Sequence, residues 1–320
     1  MPNFFLRGRG SRTERVVVTC ALAGLLVAAS NGCARAVGDD DALVLDDDRP
    51  LVLTTFTVLA DMAANVAGEH LRVESMTKAG AEIHGYEPTP GDLRTAEQAE
   101  LILDNGLGLE AWFEKFVERL PVPHAVVSAN VDPVYIRDDA YAGKVNPHAW
   151  MSPVAAETYV HNIAAAFAEL DPGNAADYRA NAAEYTEQLR EVGGELDADL
   201  AVLPPRQRAL VTCEGAFGYL ARDFDLHEAY LWPVNAEQEG TPKQVVRTID
   251  FVRENDVPAV FCESTVSDKA QQQVAEDTGA RFGGHLYVDS LSDADGPVPT
   301  YLDLLRYDAR LIADALVGQR

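Results

Sequence analysis

The chain has 320 residues, of which 47% are hydrophobic and 24% are charged, and this composition is that of a globular protein large enough for two lobes. Its formal net charge of -25 at pH 7 disfavours nucleic acid and anionic headgroups as partners, because like charges repel, and is compatible with binding cations. We interpret most of this acidity as a property of a solvated surface.

Residues 1–32 have the order of a secretory signal peptide. Arginines precede an apolar run from Val16 to Ala29, which is shorter than the ~20 residues that a membrane-spanning helix needs. Gly32 and Cys33 are typical of a lipoprotein cleavage site, so we predict an exported protein that is lipid-anchored at Cys33, at the outer face of the cytoplasmic membrane or in the periplasm. The alternative is cleavage near residues 34–36 and a soluble secreted protein.

Residues 33–49 contain six aspartates and few large apolar side chains. This composition is typical of a disordered segment, because too little apolar surface is available to form a core. We therefore predict an acidic tether at 33–49 and a folded part that begins at residue 50.

The first part of the folded chain alternates short apolar runs with amphipathic segments. We predict strands at 51–56, 72–76, 101–103 and 125–128, and helices at 59–71, 89–99 and 109–120. The second helix should begin with a capping box, in which the Thr89 hydroxyl accepts from a backbone amide and Asp92 reaches back. Strands that alternate with helices predict an α/β lobe with a mostly parallel sheet, which we assign to residues 50–173.

Two helical segments follow, the first from Pro153 to about Leu170. The second has a nearly continuous helical pattern from Asn174 to Leu200, which is about 40 Å long at 1.5 Å per residue. We predict that residues 174–203 form one long helix linking the first lobe to a second one.

The second lobe, at residues 204–320, repeats the alternation of the first. We predict strands at 209–212, 228–232, 258–262 and 285–288, and helices at 216–224, 241–254 and 267–278. Gly283 and Gly284 precede a strand rather than opening a helix, so they do not indicate a phosphate-binding loop. The overall expectation is an α/β protein of two lobes, each with a mostly parallel sheet flanked by helices.

Two of the four cysteines, Cys213 and Cys262, lie in this second lobe. A disulfide between them is compatible with an exported protein. We nevertheless favour two small buried thiols on neighbouring strands, since cysteine often packs as a small apolar side chain.

Four residues that stand just after apolar runs or in proline-flanked loops predict a metal site: His84, His148, Glu214 and Asp289. Ligands of open α/β sheets bind beyond the carboxyl ends of the strands, which is where these residues fall. Two neutral imidazoles and two carboxylates carry a formal charge of minus two, which cancels that of a divalent cation and makes its burial feasible. An alternative role for the two acids is capping of the helices that follow.

The remaining histidines are expected to be surface or hydrogen-bonded core residues rather than ligands. They are His70, His124, His161, His227 and His285. Two further acids are expected near the site, Glu263 at the end of a neighbouring strand and Asp92, where they can orient the ligands. For Asp92 the helix cap is the main role that we expect.

Six segments of the sequence resemble the signatures of one known family. They read I-H-G-Y-E-P-T-P-G-D at 83–92, A-E-L-I-L-D-N-G-L-G-L-E at 99–110, N-P-H-A-W-M-S-P at 146–153, V-T-C-E-G-A-F-G-Y-L at 211–220, E-Q-E-G-T-P-K-Q at 237–244 and Y-V-D-S-L at 287–291. In this order they resemble the metal-binding receptors of bacterial ABC importers, the cluster A-I family that serves manganese, iron and zinc. The resemblance implies two lobes joined by a long rigid helix, with the ion enclosed between them and held by His84, His148, Glu214 and Asp289.

The ligand types favour Mn2+ or Fe2+ as the cargo. Two nitrogen donors and two carboxylates that can each bind through both oxygens supply up to six contacts, which exceeds the four of a tetrahedral Zn2+ site. Zn2+ can compete because its intrinsic affinity for most such ligands is higher. A zinc-specific receptor of the same family is the alternative, but such receptors typically have a third histidine where Glu214 stands and a His-rich loop, whereas residues 85–147 contain only His124.

We therefore predict a monomeric receptor that captures a divalent metal ion, delivers it to a membrane permease and catalyses no reaction. A secreted metallohydrolase would need an open coordination position, a bound water and a nearby base. Four protein ligands leave little room for that water, and the sequence lacks H-E-x-x-H. An adhesin is a third hypothesis, which neither repeats nor aromatic clusters in the sequence support.

Overall fold

A computed structural model describes residues 47–117, 120–137, 139–234 and 240–318. The predicted signal peptide, the predicted lipidation site Cys33 and most of the predicted acidic tether lie outside the described residues. Residues Asp47–Arg320 form one compact unit. Within the described ranges, no helix combines the length and the apolar character that crossing a bilayer requires.

The N-terminal half contains one parallel sheet with the strand order β2-β1-β3-β4. Its elements are β1 (Leu51–Thr54), α1 (Thr57–Ala67), β2 (Arg72–Ser75), α2 (Pro90–Ala96), β3 (Leu101–Asp104), α3 (Phe113–Val117) and β4 (His124–Val126). The two inner strands, β1 and β3, are buried along their whole length, which explains their uninterrupted apolar sequences. The predicted parallel sheet flanked by helices is confirmed for this half.

Two long helices, α4 (Pro153–Leu170) and α5 (Ala175–Leu200), lie next in the chain and pack against each other. The Ser152 side chain accepts from the amide of Ala155 and begins α4, as its sequence predicts. Helix α5 has 26 residues and also packs against α1 of the N-terminal half, where Asn181 Nδ2 donates to the Val66 carbonyl. The side chains on its buried face include Tyr178, Ala182, Tyr185, Leu189, Val192 and Leu196.

The C-terminal half contains two pairs of parallel strands, β5 with β6 and β7 with β8. Its elements are β5 (Ala209–Glu214), α6 (Gly218–Asp223), β6 (His227–Trp232), α7 (Pro242–Glu254), β7 (Ala259–Glu263), α8 (Lys269–Thr278), β8 (Arg281–Leu286) and α9 (Tyr301–Val317). The alternation of strands and helices is the predicted one. Helix α9 was not predicted, and it packs against both β8 and α5.

Strand β8 begins earlier than the predicted 285–288, so that Gly283 and Gly284 lie inside it. A Cβ atom at position 283 would be 2.4 Å from the Phe261 ring. Glycine therefore allows β8 to pack closely against β7, next to an irregularity in their register. These glycines serve strand packing, and the expectation that they precede the strand is wrong.

The expectation of two free thiols is also wrong, because Cys213 and Cys262 form a disulfide. Cys213 lies near the end of β5 and Cys262 near the end of β7, with their Cα atoms 4.8 Å apart, a separation that a disulfide spans. The carboxyl ends of the two strands are level, since the amide of Glu214 donates to the Glu263 carboxylate. The two cysteines are 49 residues apart in the sequence, and this spacing does not indicate that the ends of β5 and β7 lie side by side.

We expect loss of this disulfide to lower the free energy of unfolding by roughly 2–4 kcal/mol, because the bridge closes a long loop in the unfolded chain. Chemical denaturation of the Cys213→Ser, Cys262→Ser double variant beside the parent protein measures this difference. Alkylation of the unreduced, unfolded chain should label neither cysteine. Labelling of both would show that the native protein holds two free thiols and would contradict the assignment.

Candidate metal centre

The four predicted ligands lie together in the structure. His84 Nε2 is 3.1 Å from His148 Nε2 and 3.3 Å from Glu214 Oε1. His148 Nε2 is 3.5 Å from Glu214 Oε1 and 4.0 Å from Asp289 Oδ1. Atoms that each lie about 2.0–2.2 Å from one ion are roughly 3–4 Å from one another, so these spacings are compatible with one shared ion.

The four side chains lie at or just after strand ends or in the connections between elements. Glu214 is the last residue of β5, and Asp289 follows the end of β8. His84 lies in the connection between β2 and α2, while His148 directly precedes a short 3-10 turn at Ala149–Met151. The carboxyl ends of parallel strands therefore contribute both acids, as the rule for open α/β sheets predicts.

The cluster is withdrawn from solvent. The side chain of His148 is fully buried, those of Glu214 and Asp289 are 3% exposed, and that of His84 is 6% exposed. Burial of charged groups is unfavourable unless they are paired or coordinate a metal. Asp289 Oδ1 has no hydrogen-bond partner although it is buried, which is the condition of an oxygen that a cation would satisfy.

Asn146 orients His148 and was not singled out in the sequence. Its Oδ1 accepts from the backbone amide of His148 at 3.0 Å and from His148 Nδ1 at 2.9 Å. Its Nδ2 donates to the carbonyl of Gly215 at 2.6 Å, which identifies Oδ1 as the acceptor. His148 Nδ1 therefore carries the proton, so Nε2 presents its lone pair to the other ligands.

Gly215 follows Glu214 in the sequence and allows β5 to turn. A Cβ atom at this position would be 2.8 Å from the Tyr230 ring and 2.9 Å from the Pro233 carbonyl oxygen. Since real Cβ atoms do not approach so closely, any side chain here would displace the backbone next to Glu214.

The segment before His148 is held by a second buried network. Asn105 Nδ2 donates to the carbonyl of Pro147 at 3.1 Å, and Asn105 Oδ1 accepts from the Tyr159 hydroxyl at 2.7 Å. The amide of Asn105 donates to Glu110 at 2.8 Å, as does the hydroxyl of Thr55 at 2.7 Å. Burial raises the pKa of Glu110 to about 7. The second family-like segment, at 99–110, thus supports the loop that carries His148.

The two acids expected to orient ligands have different roles. Glu263 accepts from the backbone amide of Glu214 at 3.1 Å and is buried beside it. Burial, together with the charge of Glu214, raises the pKa of Glu263 well above its ordinary value. Asp92 completes the capping box of α2 and accepts from the Tyr86 hydroxyl, so its role is the expected helix cap.

The five histidines that were not expected to be ligands lie outside this cluster. Three of them pair with carboxylates elsewhere, namely His70 with Asp177, His124 with Asp104 and His285 with Asp268.

The pKa values of the ligands differ strongly in the metal-free protein. Burial disfavours the charged form of His84, but the surrounding carboxylates, chiefly Glu214, raise the pKa of His84 to about 9. Complete burial lowers the pKa of His148 to about 3. Complete burial also raises the pKa of Asp289 to about 7. At neutral pH the site therefore holds protons on His84 and partly on Asp289, which a metal ion must displace.

Comparison with known families supports a receptor. The profile of the ZnuA family, described as zinc-uptake complex component A, periplasmic, matches residues 52–315. The iron-binding protein YfeA of Yersinia pestis is 53% identical over 263 residues, which are 82% of this chain and 85% of that protein. The manganese ABC transporter substrate-binding lipoprotein PsaA of Streptococcus pneumoniae is 32% identical over 273 residues, which are 83% of this chain and 88% of that protein.

Solved structures of similar proteins point to the same family. The Mn-bound periplasmic metal binding protein from Candidatus Liberibacter asiaticus is 39% identical with a TM-score of 0.79, covering 84% of this chain and 100% of that chain. The periplasmic zinc binding protein TroA from Treponema pallidum is 25% identical with a TM-score of 0.76, covering 84% and 99%. The chain belongs to the ZnuA family of metal-binding, substrate-binding proteins of ABC transporters. It is a receptor rather than an enzyme, and the resemblance stated from the six segments is confirmed.

Because both His84 and Asp289 must lose their protons before they can bind a metal, we expect metal binding to release more than one proton near pH 7. Affinity should rise as the pH increases toward about 9, the pKa of His84. Calorimetric titrations in buffers of different ionisation enthalpy count the released protons. Binding that releases none, or an affinity that falls over this pH range, would contradict these protonation states.

Proposed function

We propose that this receptor captures one divalent transition metal ion through His84, His148, Glu214 and Asp289 and delivers it to the permease of an ABC importer. The observation that carries the proposal is that four donor groups, distant in the sequence, are buried together. Donor atoms of neighbouring groups are 3.1–4.0 Å apart. Two carboxylates neutralise a divalent charge, which removes most of the penalty for enclosing it. The unpartnered Asp289 Oδ1 supports the same conclusion.

Mn2+ or Fe2+ is the cargo that we favour, with Zn2+ as a competitor. The ligand set has two nitrogen donors and two carboxylates, which suits metals that take more than four contacts. Relatives named as iron-binding and manganese-binding support this preference, while TroA is named as a zinc-binding protein. A zinc-specific receptor remains the alternative, and it would have to use Glu214 where a third imidazole is typical.

Several features of the mature protein belong to the same proposal. We propose export, lipid anchorage at Cys33 and an acidic tether at 33–49, which the lipoprotein names of relatives support. The proposed lobes are residues 50–173 and 204–320, with residues 174–203 as the linking helix. We propose that the receptor acts as a monomer, since one chain supplies all four ligands.

The mature protein, stripped of metal by a chelator, should gain thermal stability when Mn2+, Fe2+ or Zn2+ is added. A ligand that binds only the native state at about 100 times its Kd stabilises it by about 2.7 kcal/mol. Glu214→Gln should weaken binding at least about 100-fold, because the neutral amide leaves part of the charge of the ion uncompensated. Melting curves and competition with a fluorescent chelator measure both quantities.

Glu276→Gln is the matched control, since it removes one charge from the exposed face of α8. This variant should bind metal like the parent protein. Unchanged melting of the parent with all three metals would refute the proposed function. Equal losses of affinity in Glu214→Gln and Glu276→Gln would instead show that overall charge, and not ligation, accounts for binding.

A further inference from the structure

Glu82 lies beside the proposed ligands, and the four-ligand site gives it no role. Its side chain is half-buried, whereas His148, Glu214 and Asp289 are buried and Gly85 is exposed. Exposure therefore increases from the enclosed ligands toward the loop that contains Glu82. This gradient identifies the Glu82 side of the cluster as the side that faces solvent.

Glu82 forms a second group of potential ligands together with two residues of the proposed site. One donor atom from each of Glu82, His84 and Asp289 lies within 4.8 Å of the others; we call these residues the outer triad. The same condition holds for His84, His148 and Glu214, the inner triad. His84 belongs to both triads, so the two groups are adjacent and share one residue.

The carboxylate of Glu82 is held in position by its own loop. Its Oε1 accepts from the amide of His84 at 2.7 Å, and its Oε2 accepts from the amide of Gly85 at 3.0 Å. Each carboxylate oxygen can accept a further contact. Within the part of the chain that the structure describes, Glu82 makes no salt bridge with a lysine or an arginine.

The outer triad has the chemistry that a cation needs on its way into an enclosed site. A divalent ion in water must lose its hydration shell before four protein ligands can surround it. A half-exposed carboxylate can replace the first waters while the remaining ones still face solvent. The second carboxylate of the outer triad is Asp289, whose Oδ1 is buried without a hydrogen-bond partner, so the two acids balance the charge of the ion.

We propose that the outer triad is an entry station for the divalent cation, in which the ion binds Glu82, His84 and Asp289 before it moves inward to His148 and Glu214. Glu82 leaves the ion in this last step. The inference rests on the proposed function of the enclosed site. A station on the path lowers the barrier in both directions, so it accelerates association and dissociation together and changes the equilibrium affinity little.

Stopped-flow fluorescence of the metal-free, full-length mature protein with Mn2+ and Zn2+ tests the entry station. The Trp150 ring lies 5.1 Å from the His148 ring and provides an internal reporter of occupancy. Glu82→Gln should reduce both the association and the dissociation rate constant by about tenfold, which lies within the range of electrostatic effects on association. Its Kd should remain close to that of the parent protein.

Glu87→Gln is the matched control, because Glu87 is an exposed acid in the same loop. It changes the net charge equally and should have little effect. A repeat at about 1 M salt, where the Debye length is about 3 Å, removes long-range attraction, and the slow rates of Glu82→Gln should persist. Equal rates for the two variants at either salt concentration would overturn the entry station.

Glu82→Gln removes both the negative charge and one of the two hydrogen bonds to the loop backbone. Glu82→Asp distinguishes these two effects. The Asp variant keeps the charge and should bind metal faster than the Gln variant. Equally slow Asp and Gln variants would assign the effect to the loop and overturn the proposal. A parent protein that binds no metal would refute the proposed function itself, whereas normal kinetics in Glu82→Gln would refute the entry station alone.

Discussion

The structure depends on keeping two carboxylates and two imidazoles in contact within a buried cluster. Among these four side chains, the closest nitrogen and oxygen atoms are His84 Nε2 and Glu214 Oε1, which are 3.3 Å apart. Because the side chains are buried, solvent screens the charges of the two acids very little. Such an arrangement is unfavourable without a cation, because burial and the nearby charge of Glu214 both oppose ionisation of Asp289. At neutral pH a proton on His84 compensates part of this negative charge. In the proposed function a divalent ion compensates it more completely.

The surrounding contacts fix where the ligands stand. Asn146 joins the His148 imidazole to the carbonyl that follows Glu214, and so connects ligands from the two halves of the chain. The segment around Asp289 is similarly held by the N-terminal half: Trp150 Nε1 donates to the Val288 carbonyl at 3.0 Å and the Leu291 amide donates to the Thr57 hydroxyl at 2.9 Å. These contacts fix the positions of the proposed ligands without an ion, and the proposed route into the site passes Glu82.

Local sequence signals predicted most of the fold. Proline and serine at the start of α4 and the capping boxes of α2 and α7 predict those helix starts because the contacts that they make are local. The start of β8 was misjudged because Gly283 is required by the ring of Phe261, which lies on another strand. The disulfide and the Asn146 and Glu110 networks escaped prediction for the same reason: each depends on contacts between segments far apart in the sequence. The four candidate ligands were predicted from their positions after apolar runs and in proline-flanked loops, and the family resemblance implied the same four residues.

The central claim is that these four side chains surround one metal ion. The most direct measurement is a crystal structure of the Mn2+-loaded protein with anomalous diffraction collected on both sides of the manganese absorption edge. The account predicts one strong anomalous peak within bonding distance of His84 Nε2, His148 Nε2 and the carboxylates of Glu214 and Asp289. A peak elsewhere on the chain, or a loaded crystal in which one of these four side chains points away from the ion, would contradict it.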